Sequence, residues 1–457
     1  MALYREGYRS VSTVAGPLLF VKGVRNAGYG QLVTVVDPTE TRRGQILQIE
    51  GDLCVVQLFD GAMGLPTGET TVWLDRDVVT VPVGTSLIGK VLNGRGQDEN
   101  GQEILFCEDR LPVSGLPINP ARRRSPRSFI QTGLSSVDLM NTLVKGQKLP
   151  VFAGPGLPAN QVATSIVRHS KPGGHRQFLV VFAAMGITKR EAQYFLDSFR
   201  DTGAIEKGVF FINLAGDSAA ERLLTPRMAL TVAEYFAFQK GYDVLVVMTD
   251  MLHYCNALRE ISAAREEVPG RRGYPGYMYS DLAELYERAG CIDGSPGSLT
   301  QIPIITIPDD DMTHPVPDLS GYITEGQIVL GRELHDRGIF PPVDVLPSLS
   351  RLMNKGIGKA QTVDYHRAMA DQLYSSYAKA RELVKLRLIV GDDGLTDTEH
   401  RYIRFGEMFE KTFVQQDDGG RTISESFERA WMALRELPDQ ELYKLPSELV
   451  LQRGRRS

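Results

Sequence analysis

From Tyr8 to about Thr80, apolar and polar residues alternate over short spans: Leu32, Val33, Val35 and Val36, then Ile46 to Ile49, a turn at Glu50-Gly51-Asp52, and Leu53 to Phe59. Period-two alternation punctuated by Gly and Pro predicts about six short strands. No helical period interrupts them. So short a stretch cannot bury both faces of an open sheet, and open sheets leave unpaired edges, so a small closed β-barrel is expected. A Gly-rich passage, Gly89-Lys-Val-Leu-Asn-Gly-Arg-Gly-Gln97, then leads into a Pro/Arg-rich connector from Pro117 to Pro126.

Between Val137 and Pro308 the pattern changes. Continuous apolar runs at Leu149–Ala153, Phe178–Ala184, Val209–Ala215, Val244–Thr249 and Ile302–Ile307 alternate with helical periods. Unbroken runs of strand length mark strands buried on both faces, hence a mainly parallel sheet with helices on both sides. Ser218-Ala-Ala-Glu221 reads as a capping box that opens one of these helices. Ligands of such a sheet belong beyond the carboxyl ends of its strands. After Pro347 the strand signal stops. Val363 to Val390 reads as one long amphipathic helix, and Thr396-Asp-Thr-Glu399 and Thr422-Ile-Ser-Glu425 open two more. The expected organisation is a β-barrel over 1–80, an open α/β domain over 81–347 with its connector at 81–136, and a helical bundle over 348–457.

Composition narrows the function classes. The 457 residues carry 51 basic against 56 acidic side chains, a net charge of −5, which gives no cationic field for non-specific nucleic-acid binding. Cys54, Cys107, Cys255 and Cys291 form no CxxC pair, and the start MALYREGYRS lacks the apolar core of a signal peptide, so a reducing cytoplasm is expected. No run approaches the ~18 apolar residues of a spanning helix. A role at a membrane would therefore run through partners. The seven histidines never fall at ligand spacing with a Cys or carboxylate cluster, which argues against a metal held by protein ligands.

The loop after the first strand of such a sheet, at the start of a helix, is where phosphate is cradled by free amides. Here it reads Gly154-Pro-Gly156-Leu-Pro-Ala159-Asn160-Gln161. Set against the pattern Gly, four residues, Gly, Lys, Ser/Thr, the second Gly is Ala159, the Lys is Asn160 and the hydroxyl residue is Gln161. The frame is kept and the chemistry is gone: no cation for the β- and γ-phosphates, no hydroxyl for Mg²⁺, and two amides deleted at Pro155 and Pro158. Val244 to Asp250 is an apolar strand ending in a carboxylate, the shape of a Mg²⁺-holding strand, but beside a degraded loop Asp250 reads as structural. Where a hydrolase would place a glutamate to orient water, the sequence is Ala184-Met-Gly-Ile-Thr-Lys-Arg190-Glu191, and Glu191 reads as a surface charge of the next helix. Pro341-Pro-Val-Asp-Val-Leu-Pro-Ser348-Leu-Ser350-Arg351 reads as a connector from the sheet to the helical domain that ends in an arginine after two hydroxyl residues.

At these residues the chain resembles the non-catalytic B subunit of the V-type and A-type rotary ATPases. The resemblance is carried by Gly154 to Pro158, Phe182-Ala-Ala-Met-Gly-Ile187, Pro269-Gly-Arg-Arg-Gly-Tyr-Pro-Gly-Tyr277, Pro317-Asp-Leu-Ser-Gly-Tyr-Ile-Thr-Glu-Gly326 and the stretch from Pro341 to Arg351, and spans about residues 8 to 450. That last stretch fits the family signature of Pro, small, aliphatic, Asp/Asn, three residues, Ser, any, Ser at every fixed position. The resemblance implies that the central α/β domain is of RecA-like, nucleotide-binding type, between a barrel and a helical domain, and that the chain is not catalytic on its own and alternates with catalytic A subunits, three of each, in a ring. It implies central-stalk and peripheral-stalk partners, a soluble sector peripheral to the membrane, and coupling of ATP hydrolysis or synthesis to H⁺ or Na⁺ transport. ATP or ADP with Mg²⁺ would be bound chiefly by the partner, with no intrinsic cofactor. Arg351 would reach the partner's ATP site, Ser348 and Ser350 would lie near that interface, and Gly154, Gly156 and Asn160 would form a vestigial loop. Two other readings share the middle fold: a self-sufficient hexameric NTPase, which the absence of a lysine at Asn160 opposes, and a ring spacer in which Arg351 does nothing.

Overall fold

The computed structural model describes residues 6–174, 176–359 and 361–454; residues 1–5, the first half of the start segment, and His175 lie outside them. The N-terminal region is a barrel of seven strands rather than six: β1 (Gly7–Tyr8), β2 (Val11–Ala15), β3 (Leu18–Val21), β4 (Gln31–Val36), β5 (Thr41–Glu50), β6 (Leu53–Leu58) and β7 (Thr71–Val78). All neighbours are antiparallel, in the order β1-β7-β4-β5-β6-β3-β2. The sheet ends on β1 and β2, which are consecutive in the chain, so one N-terminal segment covers both edges. Leu19, Val33, Val35, Ile46, Val56 and Val72 fill the interior.

A second sheet organises the rest. Its strands are β8 (Val91–Asn93), β9 (Val151–Ala153), β10 (Phe178–Ile187), β11 (Gly208–Leu214), β12 (Asp243–Thr249), β13 (Ser298–Thr306), β14 (Gly326–Leu330) and β15 (Val343–Ser350), in the order β15-β14-β9-β13-β12-β10-β11-β8. A two-residue strand, Gly290–Cys291, pairs antiparallel with β13. Pairing within the main order is parallel except between β14 and β15. Every residue of β12 is buried, as its unbroken apolar run requires.

Two edges of this sheet correct the sequence reading. The stretch from Pro341 to Arg351 is not a connector: residues 343–350 form edge strand β15, where Pro347 is tolerated because an edge leaves ladder positions unused. The Gly-rich passage after Gly89 supplies β8, three residues too short to show a period, which pairs with β11 at the opposite edge.

Helices α1 (Ala159–His169), α2 (Lys189–Asp201), α3 (Ala219–Glu234) and α4 (Met251–Ala264) pack on the sheet. Ser218 caps α3 by accepting the Glu221 amide at 3.1 Å, but Glu221 does not complete the expected box. Its carboxylate takes Arg95 Nε at 3.0 Å instead, and Arg95 also pairs with Asp60 at 2.5 Å, a link between barrel and sheet domain.

The C-terminal region contains α5 (His366–Val390), α6 (Asp397–Met408) and α7 (Ile423–Leu434). Both Thr-x-x-Glu boxes form as read, Thr396 with Glu399 and Thr422 with Glu425. α5 stops at Gly391, whose φ of 78° is the left-handed cap that glycine supplies without strain. Phe405, Phe409 and Trp431 join Ile130, Phe182 and Leu373 in one core, so the helical domain shares its interior with one face of the sheet.

Candidate functional site

The loop from Gly154 to Gln161 lies at the carboxyl end of β9, at the start of α1, and borders a cavity of about 670 Å³. Its backbone keeps a phosphate-loop shape for identifiable reasons. Gly156 has φ +80°, which a side chain would strain. A Cβ on Gly154 would lie 1.7 Å from an Asp310 carboxylate oxygen, so a side chain there would displace the Asp310–Arg332 pair. Arg332 braces the loop from outside, forking onto Asp310 and donating to the Pro155 carbonyl at 3.0 Å.

The side chains do not serve a polyphosphate. Asn160, at the lysine's place, turns its amide to Glu191 at 3.0 Å. Glu191 is no free surface charge, which corrects the sequence reading. It closes the capping box of α2, accepting the Thr188 amide at 2.8 Å and hydroxyl at 2.9 Å. Burial pushes its carboxyl up, but the Thr188 and Asn160 hydrogen bonds outweigh that and hold it below the ordinary range. The cavity wall therefore carries a fixed negative charge beside the place of the missing cation.

Asp250 is the N-cap of α4. It accepts the Leu252 amide at 2.8 Å and the Thr306 amide at 3.1 Å, and the Thr306 hydroxyl also bonds it. Both of its oxygens are thus engaged within the chain. Asn160 and Gln161 keep backbone amides without an acceptor among the described residues, and Arg190 is exposed at the rim. The donor set fits an occasional anion and does not fit Mg-ATP poised for transfer. Sequence reasoning missed Arg190, Tyr194 and His253 as neighbours of this loop; the signal for His253 was its place one turn after the Asp250 cap.

The second group of expected site residues lies elsewhere. In the register of the sheet, Ser350 faces Gly326, the first residue of β14, while Phe152 near the end of β9 faces Val329. Arg351 and the loop are thus at opposite ends of the sheet, about 16 Å apart along the strands. Arg351 is held by its backbone, whose amide donates to Glu325 O at 3.0 Å. Its guanidinium is exposed and makes no ion pair or side-chain hydrogen bond among the described residues.

The two serines before it are buried and anchored. Ser350 donates to Thr142 O at 2.9 Å and accepts from Gln147 Nε2 at 2.9 Å. Ser348 donates to Asp344 O at 2.5 Å and accepts the Val329 amide at 3.0 Å. The strand end is rigid and its terminal cation is free. Among the described residues no group of three His, Cys, Asp or Glu side chains could hold a metal ion, and no helix is long and apolar enough to cross a membrane.

Comparison with known proteins agrees with this division. Family models match in three consecutive pieces: the beta-barrel domain of the ATP synthase alpha/beta family at residues 11–72, its nucleotide-binding domain at 133–350, and the C-terminal domain of V and A type ATP synthase at 355–454. Fold and site thus define a member of the alpha/beta class. The chain is 51% identical over 459 aligned residues to the V-type ATP synthase beta chain of Thermus thermophilus, covering 98% of this chain and 96% of that one. It is 53% identical over 447 residues to a B subunit of the A-type ATP synthase of Methanospirillum hungatei, with 97% of each covered. Among solved structures, the ATP synthase protein NeqB of Nanoarchaeum equitans superposes with a TM-score of 0.73 at 38% identity, over 92% of this chain and all of that one. The chain belongs to the family of B subunits of the V-type and A-type ATP synthases.

Proposed function

We propose that this chain is the non-catalytic member of the rotary ATPase ring, and that it supplies Arg351 in trans to the ATP site of a catalytic A-type partner. Three copies alternate with three such partners around a central stalk, braced by a peripheral stalk. The ring couples ATP hydrolysis or synthesis to H⁺ or Na⁺ movement through a membrane sector. The observation that carries the reading is the placement of Arg351: an unpartnered guanidinium on a rigid strand end, at the far side of the sheet from its own loop. It cannot serve the loop of its own chain, so its charge is available to a neighbour.

A planar guanidinium stabilises charge spreading over a transferring phosphoryl group, and a neighbouring chain that contributes one gains roughly 10³ to 10⁵ in rate. The buried Ser348 and Ser350 fix the strand from which it extends, so little ordering is required at the moment of reaction. ATP or ADP with Mg²⁺ is held chiefly by the partner, because this chain's loop lacks the lysine and hydroxyl that would hold them and its Glu191 repels phosphate. Steady-state hydrolysis by the ring reconstituted with Arg351→Ala tests the reading. The ring should assemble on gel filtration with its kcat collapsed; near-normal kcat in an intact ring would reduce this chain to a spacer.

A further inference from the structure

The Pro/Arg-rich connector takes no part in the ring chemistry, yet it borders a cavity with a marked imbalance of charge. Residues Arg124 and Arg127 meet Lys145 and Arg176 around a space of about 530 Å³. The cavity opens at the amino ends of β12 and β13, where Asp243 and Ser298 begin their strands. The loop cavity touches Thr249 and Asp250 at the other end of β12, so the two spaces are separated by the length of a seven-residue strand, about 20 Å.

Among the described residues, four cations line this space against one carboxylate, Asp243. That carboxylate is already neutralised: it is fully buried, takes Lys145 Nζ at 2.7 Å and the Ser298 hydroxyl at 2.7 Å. Lys145 also donates to Gly173 O at 2.8 Å, which fixes the floor of the cavity. Arg124, Arg127 and Arg176 are exposed, and no carboxylate pairs with any of them among the described residues. Among the described residues, Arg176 donates to the Pro296 carbonyl. Three arginines without a carboxylate partner among the described residues line one small space, an excess of positive charge that a bound anion would offset.

We infer that this cavity binds a small molecule carrying two or more linked phosphate groups. Guanidinium forks match phosphate oxygens in pairs, and several forks around one space suit several adjacent oxyanions. The volume falls within the ~300 to 1,000 Å³ of small-molecule sites, and a concave space framed by a strand-end ion pair suits a compact ligand better than an extended acidic chain. Binding here requires neither Arg351 nor ring assembly, so it stands or falls separately from the proposed function.

The test is calorimetric titration of the full isolated chain with inorganic pyrophosphate, without Mg²⁺, at low ionic strength. Saturable binding is expected, weakening as salt is raised. Arg124→Gln together with Arg127→Gln should weaken it at least about tenfold, since each removes a charge-assisted hydrogen bond. Both side chains are exposed and bear no ion pair, so the variant should keep the melting temperature of the parent. Absence of binding, or binding unchanged in the double variant, overturns the inference. So does loss of binding on Arg190→Gln alone, which would place the anion at the loop cavity, or displacement by polyglutamate at lower concentration than by tripolyphosphate, which would make the patch a docking surface for an acidic protein segment.

Discussion

The two ends of the central sheet carry opposite kinds of preservation. At the carboxyl end the backbone of a phosphate loop survives, with Gly156 at positive φ and Arg332 bracing Pro155, while the side chains have been retired to internal bonds such as Asn160 to Glu191. At the amino end the backbone is an ordinary edge strand, but the residue that follows it, Arg351, is exposed and has no side-chain partner among the described residues. Loop geometry here is maintained by packing, independently of the side chains that phosphate chemistry would use. Arg351 differs from an ordinary surface charge in its mounting, on a strand end anchored by two buried serines, and that makes it the sharper place to test for function.

The largest expected effect follows directly. Arg351→Ala should lower kcat of the reconstituted ring by at least roughly 10²- to 10³-fold, within or near the range for arginines supplied in trans, with KM changed far less because the contact strengthens as phosphoryl charge redistributes. Arg351→Lys should recover little, since an ammonium cannot reproduce the planar fork. Asn160→Ala should stay near parental turnover. If Asn160→Ala costs as much as Arg351→Ala, the contrast between the two ends is lost.

The support beneath the amino end should respond to acid. The turn at residues 139–142 receives Ser350 through Thr142 O and His366 through Leu139 O at 2.9 Å. His366 is fully buried, and burial lowers its pKa from 6.5 to about 4. Because the folded pKa lies below the unfolded one, the unfolded chain takes up the proton first. Stability from this group is complete above about pH 6.5 and is lost as the pH falls towards about 4, by up to about 3 kcal/mol. Urea unfolding across that window should show the slope in the parent and a shallower one in His366→Gln. Parallel curves would remove His366 from the support of this end.

Rebuilding the retired loop sharpens the comparison from the other side. Ala159→Gly, Asn160→Lys and Gln161→Thr together should raise Mg-ATP affinity of the isolated chain by about ten- to a hundredfold, the value of regaining charge-assisted phosphate contacts. Turnover should remain at background, because Pro155 and Pro158 still withhold amides and no acidic residue stands at the end of β10. Measurable hydrolysis in the triple variant would mean that the loop end lacks only three side chains.

Much of this was legible from residue patterns because the physics is local. Continuous apolar runs announced β10 to β13, and the Thr-x-x-Glu boxes announced the starts of α6 and α7, whose ends at Met408 and Leu434 fall short of the Phe413 and Leu437 that the pattern suggests. The misses were tertiary. β8 is three residues long and exists only because β11 offers it an edge. β15 contains two features that argue against a strand in isolation, a proline and an expected connector role, and is stabilised by pairing with β14. The degraded loop could be read from its letters alone. What could not be read was where Glu191 points, since capping α2 and accepting from Asn160 both depend on the fold placing α1 beside α2.

The smallest effect probes that last contact. Thr188→Ala removes the hydroxyl that accepts the Glu191 amide at 3.2 Å and donates to its carboxylate at 2.9 Å, leaving Glu191 held by the Thr188 backbone amide and by Asn160. Loss of an N-cap costs about 1 kcal/mol, so chemical denaturation should shift by that amount and no more. The same change should raise the Glu191 pKa towards its ordinary value, since one of the hydrogen bonds holding it down is gone. Under the proposed function, turnover of the reconstituted ring should not move, because the chemistry is assigned to the partner's ATP site. A stability change near 1 kcal/mol with unchanged kcat fits a capping role alone, whereas a drop in kcat at constant stability would return Glu191 to the active machinery and erase the difference between the two ends.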